Sequence, residues 1–193
     1  MVSQTKRRRE PPQVRRRRIL DAARKVLVEK GYQKALLDDV AAEAGIAKGT
    51  LYLYFEDKDS LVQAAMGDLL DSLEQRLPLP GGADPLAALK LAAEESLAFA
   101  DEHRDFLARF SQPGLCGGAL RGRFRRHVER LGALFQHAVK AGKLRPHDPE
   151  LGAVAFMSLT RGLLMRKLHF ESKQSLRSQA PVLLDLLLHG LGR

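Results

Sequence analysis

Apolar residues recur at helical spacing along almost the whole chain, and no stretch alternates in the way a strand would. Ile19, Ala22, Ala23, Val26 and Leu27 share one face of a helix predicted over 19–30. Leu37, Val40, Ala41 and Ala44 predict a shorter one over 37–44, which Gly45 stops by supplying a flexible backbone. The run 47–54 predicts another, with Ile46, Leu51 and Phe55 turned inward and Lys48, Gly49, Thr50, Tyr52 and Tyr54 outward. From Leu61 through Val62, Ala65, Met66, Leu69, Leu70 and Leu73 to Leu77 a longer stripe predicts a helix over 58–77, broken by Pro78-Leu79-Pro80-Gly81-Gly82. Asp84-Pro85 and Asp148-Pro149 each place an N-cap before a first-turn proline. Further helices are expected at 85–101, 103–111, 119–141, 149–169 and 175–191, so the fold class is all-α.

Two short helices around a tight turn, the second edged with hydroxyls and aromatic rings, are the sequence form of a helix-turn-helix that reads DNA. Lys48 and Thr50 sit where a lysine can reach guanine acceptors and a threonine can use its hydroxyl or methyl, and Gly49 lets the backbone come close. Tyr52 and Tyr54 suit phosphate oxygens. Lys58, after the cap Asp57, is placed for a further phosphate at a helix start.

Gly31-Tyr32, Asp39-Val40-Ala41, Ala44-Gly45-Ile46, Lys48-Gly49-Thr50-Leu51-Tyr52 and Tyr54-Phe55, followed by Lys58 and Leu61, together resemble the DNA-binding domain of the tetracycline repressor (TetR) family. The resemblance covers about a third of the chain. It implies an N-terminal three-helix helix-turn-helix domain at 15–77, with its motif at 36–55, and a C-terminal helical ligand-binding and dimerisation domain at 84–193. Two departures stand out: Ala35 and Leu36 replace the family's hydroxyl residue at the first motif helix, and Ala47 stands where serine is frequent.

Charge adds an arm. Residues 1–18 hold eight basic residues against one acid, +7 of the chain's +9, whereas 19–60 hold six basic and eight acidic residues. Attraction to DNA must therefore come largely from the arm. Residues 1–14 are expected to be disordered, with Lys6 to Arg9 set apart by Pro11-Pro12. Arg15, Arg16 and Arg17 lead into the first helix and are candidate phosphate or minor-groove contacts. No apolar segment of signal or membrane-span length follows, and the one cysteine, Cys116, has no internal partner, so a cytoplasmic location is expected. The histidines are scattered without metal-site spacing, and Cys116 reads as a plain loop thiol. The run Arg121, Arg123, Arg125, Arg126 and Arg130 reads as a solvated face, with a second DNA or anionic-ligand contact as the alternative. No nucleophile has its base and no phosphate loop occurs; neither an enzyme nor a bound cofactor is expected.

The C-terminal helices suggest association. Leu183, Leu184, Leu186, Leu187, Leu188 and Leu191 surround the last helix, and Gly152, Ala155, Ser158, Leu159 and Gly162 form a small-residue strip on the one before. Ordinary intrachain core is the alternative; the family resemblance implies a four-helix homodimer interface. A dimer would place two recognition helices about one DNA turn, roughly 34 Å, apart on a palindrome in double-stranded DNA. A small-molecule effector favouring another spacing would release it, with helix 58–77 as the lever. Phe99, His103, Phe106, Phe110, Phe135, Phe156, Met157, Arg161 and Met165 are candidate pocket residues for an apolar or amphipathic effector, although such residues also build plain core. The expected function is a ligand-responsive repressor. The alternative is an architectural DNA-binding protein whose C-terminal domain only dimerises.

Overall fold

The computed structural model describes residues 10–81, 84–110, 118–170 and 173–191, the side chains of residues 110, 118, 119, 190 and 191 excepted. Lys6 to Arg9, Cys116 and the side chains of Phe110 and Leu191, singled out above, lie outside the described residues. Those described are helical with no strand among them: α1 (Pro12–Lys34), α2 (Leu37–Glu43), α3 (Lys48–Tyr52), α4 (Lys58–Arg76), α5 (Pro85–Glu102), α6 (Arg104–Phe110), α7 (Gly118–Lys140), α8 (Pro149–His169) and α9 (Ala180–Leu191). None of these helices is long and apolar enough to cross a membrane. Packing divides the chain into two units, Met1–Ala65 and Met66–Arg193, and the division falls inside α4.

In the first unit α1 begins at Pro12 rather than at Ile19. Proline has no N–H to offer a ladder, which costs nothing in a first helical turn, so Pro11-Pro12 starts the helix. Glu10 then accepts from Arg18 at 2.9 Å and from Arg15 at 3.3 Å, fastening the added turns. The regular helix ends where expected, at the positive φ of Gly31 (73°). Ile19, Leu20, Ala23 and Leu27 of α1 are buried, as are Val40 and Ala41 of α2, Leu51 of α3 and Phe55. Gly45, at φ 63°, makes the turn between α2 and α3, a conformation costly for any residue with a Cβ.

Leu36 supplies no side-chain cap to α2, in keeping with the missing hydroxyl; only the Asp39 half of a capping box exists, its carboxylate accepting the Leu36 N–H at 3.1 Å. Lys30 lies 2.7 Å from the same carboxylate. With the Lys30 hydrogen bond foremost and the Leu36 N–H next, Asp39 is held below the usual carboxylate pKa.

In the second unit α5 packs against α7, α8 and α9, and its fully buried Ala92 and Ala93 keep those neighbours close. Asp84 caps α5 by accepting from the Leu86 and Ala87 N–H groups, and Asp148 caps α8 through Glu150, as the Asp-Pro pairs predicted. The core comprises Leu89, Leu97, Leu131, Leu134, Phe135, Phe156, Leu183 and their neighbours. The last helix, expected as one piece over 175–191, is divided into a 3-10 turn (Leu176–Gln179) and α9. Pro181 tolerates only a first-turn position, and so the helix restarts at Ala180. Asp101 joins this turn to α5 and α8. It accepts from the Leu176 N–H at 3.0 Å and pairs with Lys167, and against the cost of burial these partners hold its carboxyl below the usual range.

Candidate DNA-reading surface and effector cavity

α3 is brought to the surface by its own inward anchors. Leu51 is fully buried and Phe55 nearly so, which leaves Lys48, Gly49 and Tyr52 exposed and Thr50 and Tyr54 half-buried. The five predicted residues thus lie together, although α3 is shorter than the expected 47–54, because Tyr54 N–H turns back to the Leu51 carbonyl at 2.9 Å. Lys48 is not idle: its ammonium lies 2.8 Å from Asp38 on α2, and this hydrogen bond raises its pKa. The pair is exposed, so water screens it and a base edge can replace the carboxylate at little cost.

Lys58 has partners that its position at a helix start did not reveal. Its half-buried ammonium donates to the carbonyls of Tyr32 at 2.9 Å and Ala35 at 3.3 Å and sits 4.5 Å from the Tyr32 ring centre. It closes the orphan carbonyls that follow the break at Gly31. Tyr32 in turn donates to Asp59, which raises its pKa. Arg16 stacks 5.5 Å from the Phe55 ring centre and Arg17 is exposed. Sequence reasoning missed Leu53, 83% exposed at the end of α3, and its only signal was an apolar residue outside the stripe of Leu51 and Phe55.

Within the second unit a cavity of about 190 Å³ opens between helices. Met66, Leu69, Leu70 and Leu73 of α4 form one wall and Ser96, Phe99 and Ala100 of α5 another. Leu107 of α6, His127 of α7 and Phe156, Met157, Thr160, Arg161 and Leu164 of α8 complete it. Of the predicted pocket residues, Phe99, Phe156, Met157 and Arg161 are in the wall. Phe135 is not: it is buried in the core, edge-on to Phe156 with ring centres 6.4 Å apart. Phe106 is buried away from the cavity, and Met165 is half-buried outside it. His103 packs 4.4 Å from the Phe99 ring on a side that does not line the cavity.

His127 and Ser96 were missed. Ser96 Oγ and His127 Nδ1 are buried without a hydrogen-bond partner among the described residues, which costs about 1–3 kcal/mol for each such group. Burial, with the charge of Arg130 adding to it, pushes the His127 pKa down to about 4, so the ring is neutral at pH 7. By contrast Thr160 is satisfied, its hydroxyl donating to the Phe156 carbonyl at 3.0 Å. The basic run on α7 is not simply solvated: Arg123 reaches Asp71 of α4 at 3.1 Å, and Arg130 donates to the Leu77 carbonyl at 2.8 Å. Among the described residues no three His, Cys, Asp or Glu side chains gather to hold a metal ion.

The predicted interface is corrected by burial. Leu183 and Leu187 are 0% and 5% exposed within a single chain, packed into the core, and so offer no surface to a partner. Gly152 is likewise buried, with Phe135 and His147 close to where a Cβ would lie. Ser158 and Gly162 do face outward, and Ala155 and Leu159 are half-exposed. Large apolar residues exposed on these two helices are Leu151 and Val154 on α8 and Val182 and Leu186 on α9.

Residues 19–65 match the family described as bacterial regulatory proteins, tetR family, and residues 91–182 match the AefR-like transcriptional repressor C-terminal domain. The chain belongs to the tetR family of bacterial regulatory proteins. Among its relatives, the helix-turn-helix-type transcriptional regulator YvdT of Bacillus subtilis is 36% identical over 94 residues, 47% of each chain. The fatty acid metabolism regulator protein of the same organism is 34% identical over 89 residues, 44% of this chain and 46% of that one. The match thus spans about half the length of these curated relatives. The solved structure of the transcriptional regulator FadR from Bacillus subtilis in complex with stearoyl-CoA has the same fold. Its TM-score is 0.76 at 21% identity, covering 91% of this tetR-family chain and 98% of that one.

Proposed function

We propose that this tetR-family protein is a dimeric cytoplasmic repressor that reads a palindromic operator in double-stranded DNA through α3 and releases it when a small apolar or amphipathic effector enters the cavity. The observation that carries this reading is the continuity of α4. Its 19 residues form one unbroken helix, about 28 Å long. Leu61, Val62 and Ala65 are buried in the unit that holds α3, and Met66, Leu69, Leu70 and Leu73 in the next turns are cavity wall. A ligand that binds better with α4 displaced shifts the population of displaced helices, and two such shifts in a dimer alter the spacing on which the operator depends. No chemical step is involved.

Lys48, Gly49 and Thr50 carry base reading, while Tyr52, Tyr54 and Arg15 to Arg17 carry phosphate contacts. Lys58 holds the base of the reading head rather than DNA. The dimer forms through Leu151, Val154, Ser158 and Gly162 on α8 with Val182 and Leu186 on α9, an apolar outward face of the kind symmetric dimers cover.

Selection of duplexes from a random pool by the full chain tests the reading. One palindromic sequence, bound by two chains, should survive excess competitor DNA. Binding that is equal on every duplex and vanishes uniformly with salt would instead establish an architectural role. Val154→Glu with Leu186→Glu should give a monomer by ultracentrifugation and abolish the palindromic complex.

A further inference from the structure

Among the described residues five buried side-chain polar atoms lack a hydrogen-bond partner, and two of them, Ser96 Oγ and His127 Nδ1, belong to the cavity wall. They come from different helices, α5 and α7, and their residues are 5% and 4% exposed. The rest of the described wall is leucine, methionine, phenylalanine and alanine, with Thr160, whose hydroxyl already donates to the Phe156 carbonyl, and Arg161. A hydroxyl donates and accepts, and a neutral imidazole has one nitrogen of each kind, so the two together match a partner that can do either. Burial, with Arg130 adding to it, keeps His127 neutral, and a carboxylate entering here would lose its water to an imidazole that brings no charge of its own. Arg161, the one cation among the described wall residues, is exposed and already has an interaction within the chain. The volume, about 190 Å³, is that of a substituted ring or short chain; a cavity of roughly 150 Å³ takes benzene.

We propose that the cavity seats a small, largely apolar molecule through a single uncharged hydrogen-bonding group, such as a phenol or alcohol hydroxyl, held by Ser96 Oγ and His127 Nδ1. This rests on the effector reading above and narrows its ligand class. The apolar body fills the space beside Leu69, Phe99 and Leu164, and the hydroxyl answers the two groups that the fold leaves unanswered.

Calorimetric titration of the full chain at neutral pH with 4-ethylphenol, ethylbenzene and 4-ethylbenzoate tests it. The phenol should bind at least about tenfold more tightly than the hydrocarbon, and the carboxylate more weakly than both. Ser96→Ala and His127→Leu should each reduce the phenol's advantage over ethylbenzene to under about threefold. Ser96→Ala removes an unanswered hydroxyl for a methyl of fitting size, so its melting temperature should not fall, and it serves even if His127→Leu folds poorly. Preference for 4-ethylbenzoate would move the anchor to Arg161 and overturn the uncharged seat while sparing the effector reading. Equal binding of phenol and hydrocarbon would overturn the seat and leave the cavity as a sensor. Failure of all three probes to bind would overturn the seat and count against the effector reading as well.

Discussion

In the unit built on α1 to α3 the side chains with chemistry to offer lie outside and hold one another, Lys48 by Asp38 and Asp39 by Lys30, whereas in the unit built on α5 to α9 Ser96 Oγ and His127 Nδ1 lie inside and no group among the described residues holds them. A polar group on the surface always has water to fall back on, so changing it alters recognition and leaves the fold alone. A polar group in an apolar interior has no such recourse, and its energy belongs to stability until a ligand arrives. The first unit can therefore vary its reading without risk to folding, and the second couples whatever it binds to how firmly it is folded.

The contrast can be broken most forcefully at Phe156. Phe156→Ala should cost about 3–5 kcal/mol in urea unfolding, because the ring is 1% exposed and shared by core and cavity; an equal loss for Thr50→Ala would erase the distinction between the units. Acid sharpens it next. His127 is neutral when folded, with a pKa near 4, and takes up a proton when unfolded below its ordinary 6.5. Its contribution is complete above pH 6.5 and is lost as pH falls toward 4, amounting to roughly 3 kcal/mol. Urea titrations of the wild type and His127→Leu should differ by that slope; parallel curves would show that the ring is not buried neutral.

On the outer surface, Lys48→Ala and Thr50→Ala should each shift base preference at one position by about 1–3 kcal/mol in competition binding, with unchanged melting temperature. Lys58→Ala should do the reverse, costing about 1–2 kcal/mol of stability as the two carbonyls go unanswered and weakening all duplexes alike. The smallest change belongs to deletion of residues 1–9. It should reduce the slope of log affinity against log salt by about 0.9 for each phosphate that the shortened arm no longer reaches, and leave the melting curve in place.

Local signals carried the reading head. Gly45, Leu51 and Phe55 act over a few residues, and each does in the fold what its position predicted. The intrachain partners of Lys58 were hidden because the carbonyls it closes belong to residues 32 and 35, more than twenty positions away. Pro11-Pro12 read as a divider because proline both starts helices and separates them, and Glu10 favours the start by holding Arg15 and Arg18. The second unit was legible as helices and not as a site. Leu183, Leu186 and Leu187 have the same side chain at neighbouring positions, and only packing against α5 and α8 decides which are core and which are surface. His127 was hidden among arginines, yet it shares a helical face with Leu131, Leu134 and Ala138, all buried, and that period marked it as inward. Ser96, in step with Ala92, Phe99 and Ala100, carried the same mark.

The pairing of Lys48 with Asp38 sets a threshold on the proposed reading surface. While joined, the two side chains show an approaching phosphate no net charge, so the lysine offers little to a duplex that brings no acceptor to it. A duplex that brings one has to outcompete the carboxylate for the ammonium. In that reading Asp38, without touching the operator, trims what a mismatched sequence can gain from Lys48.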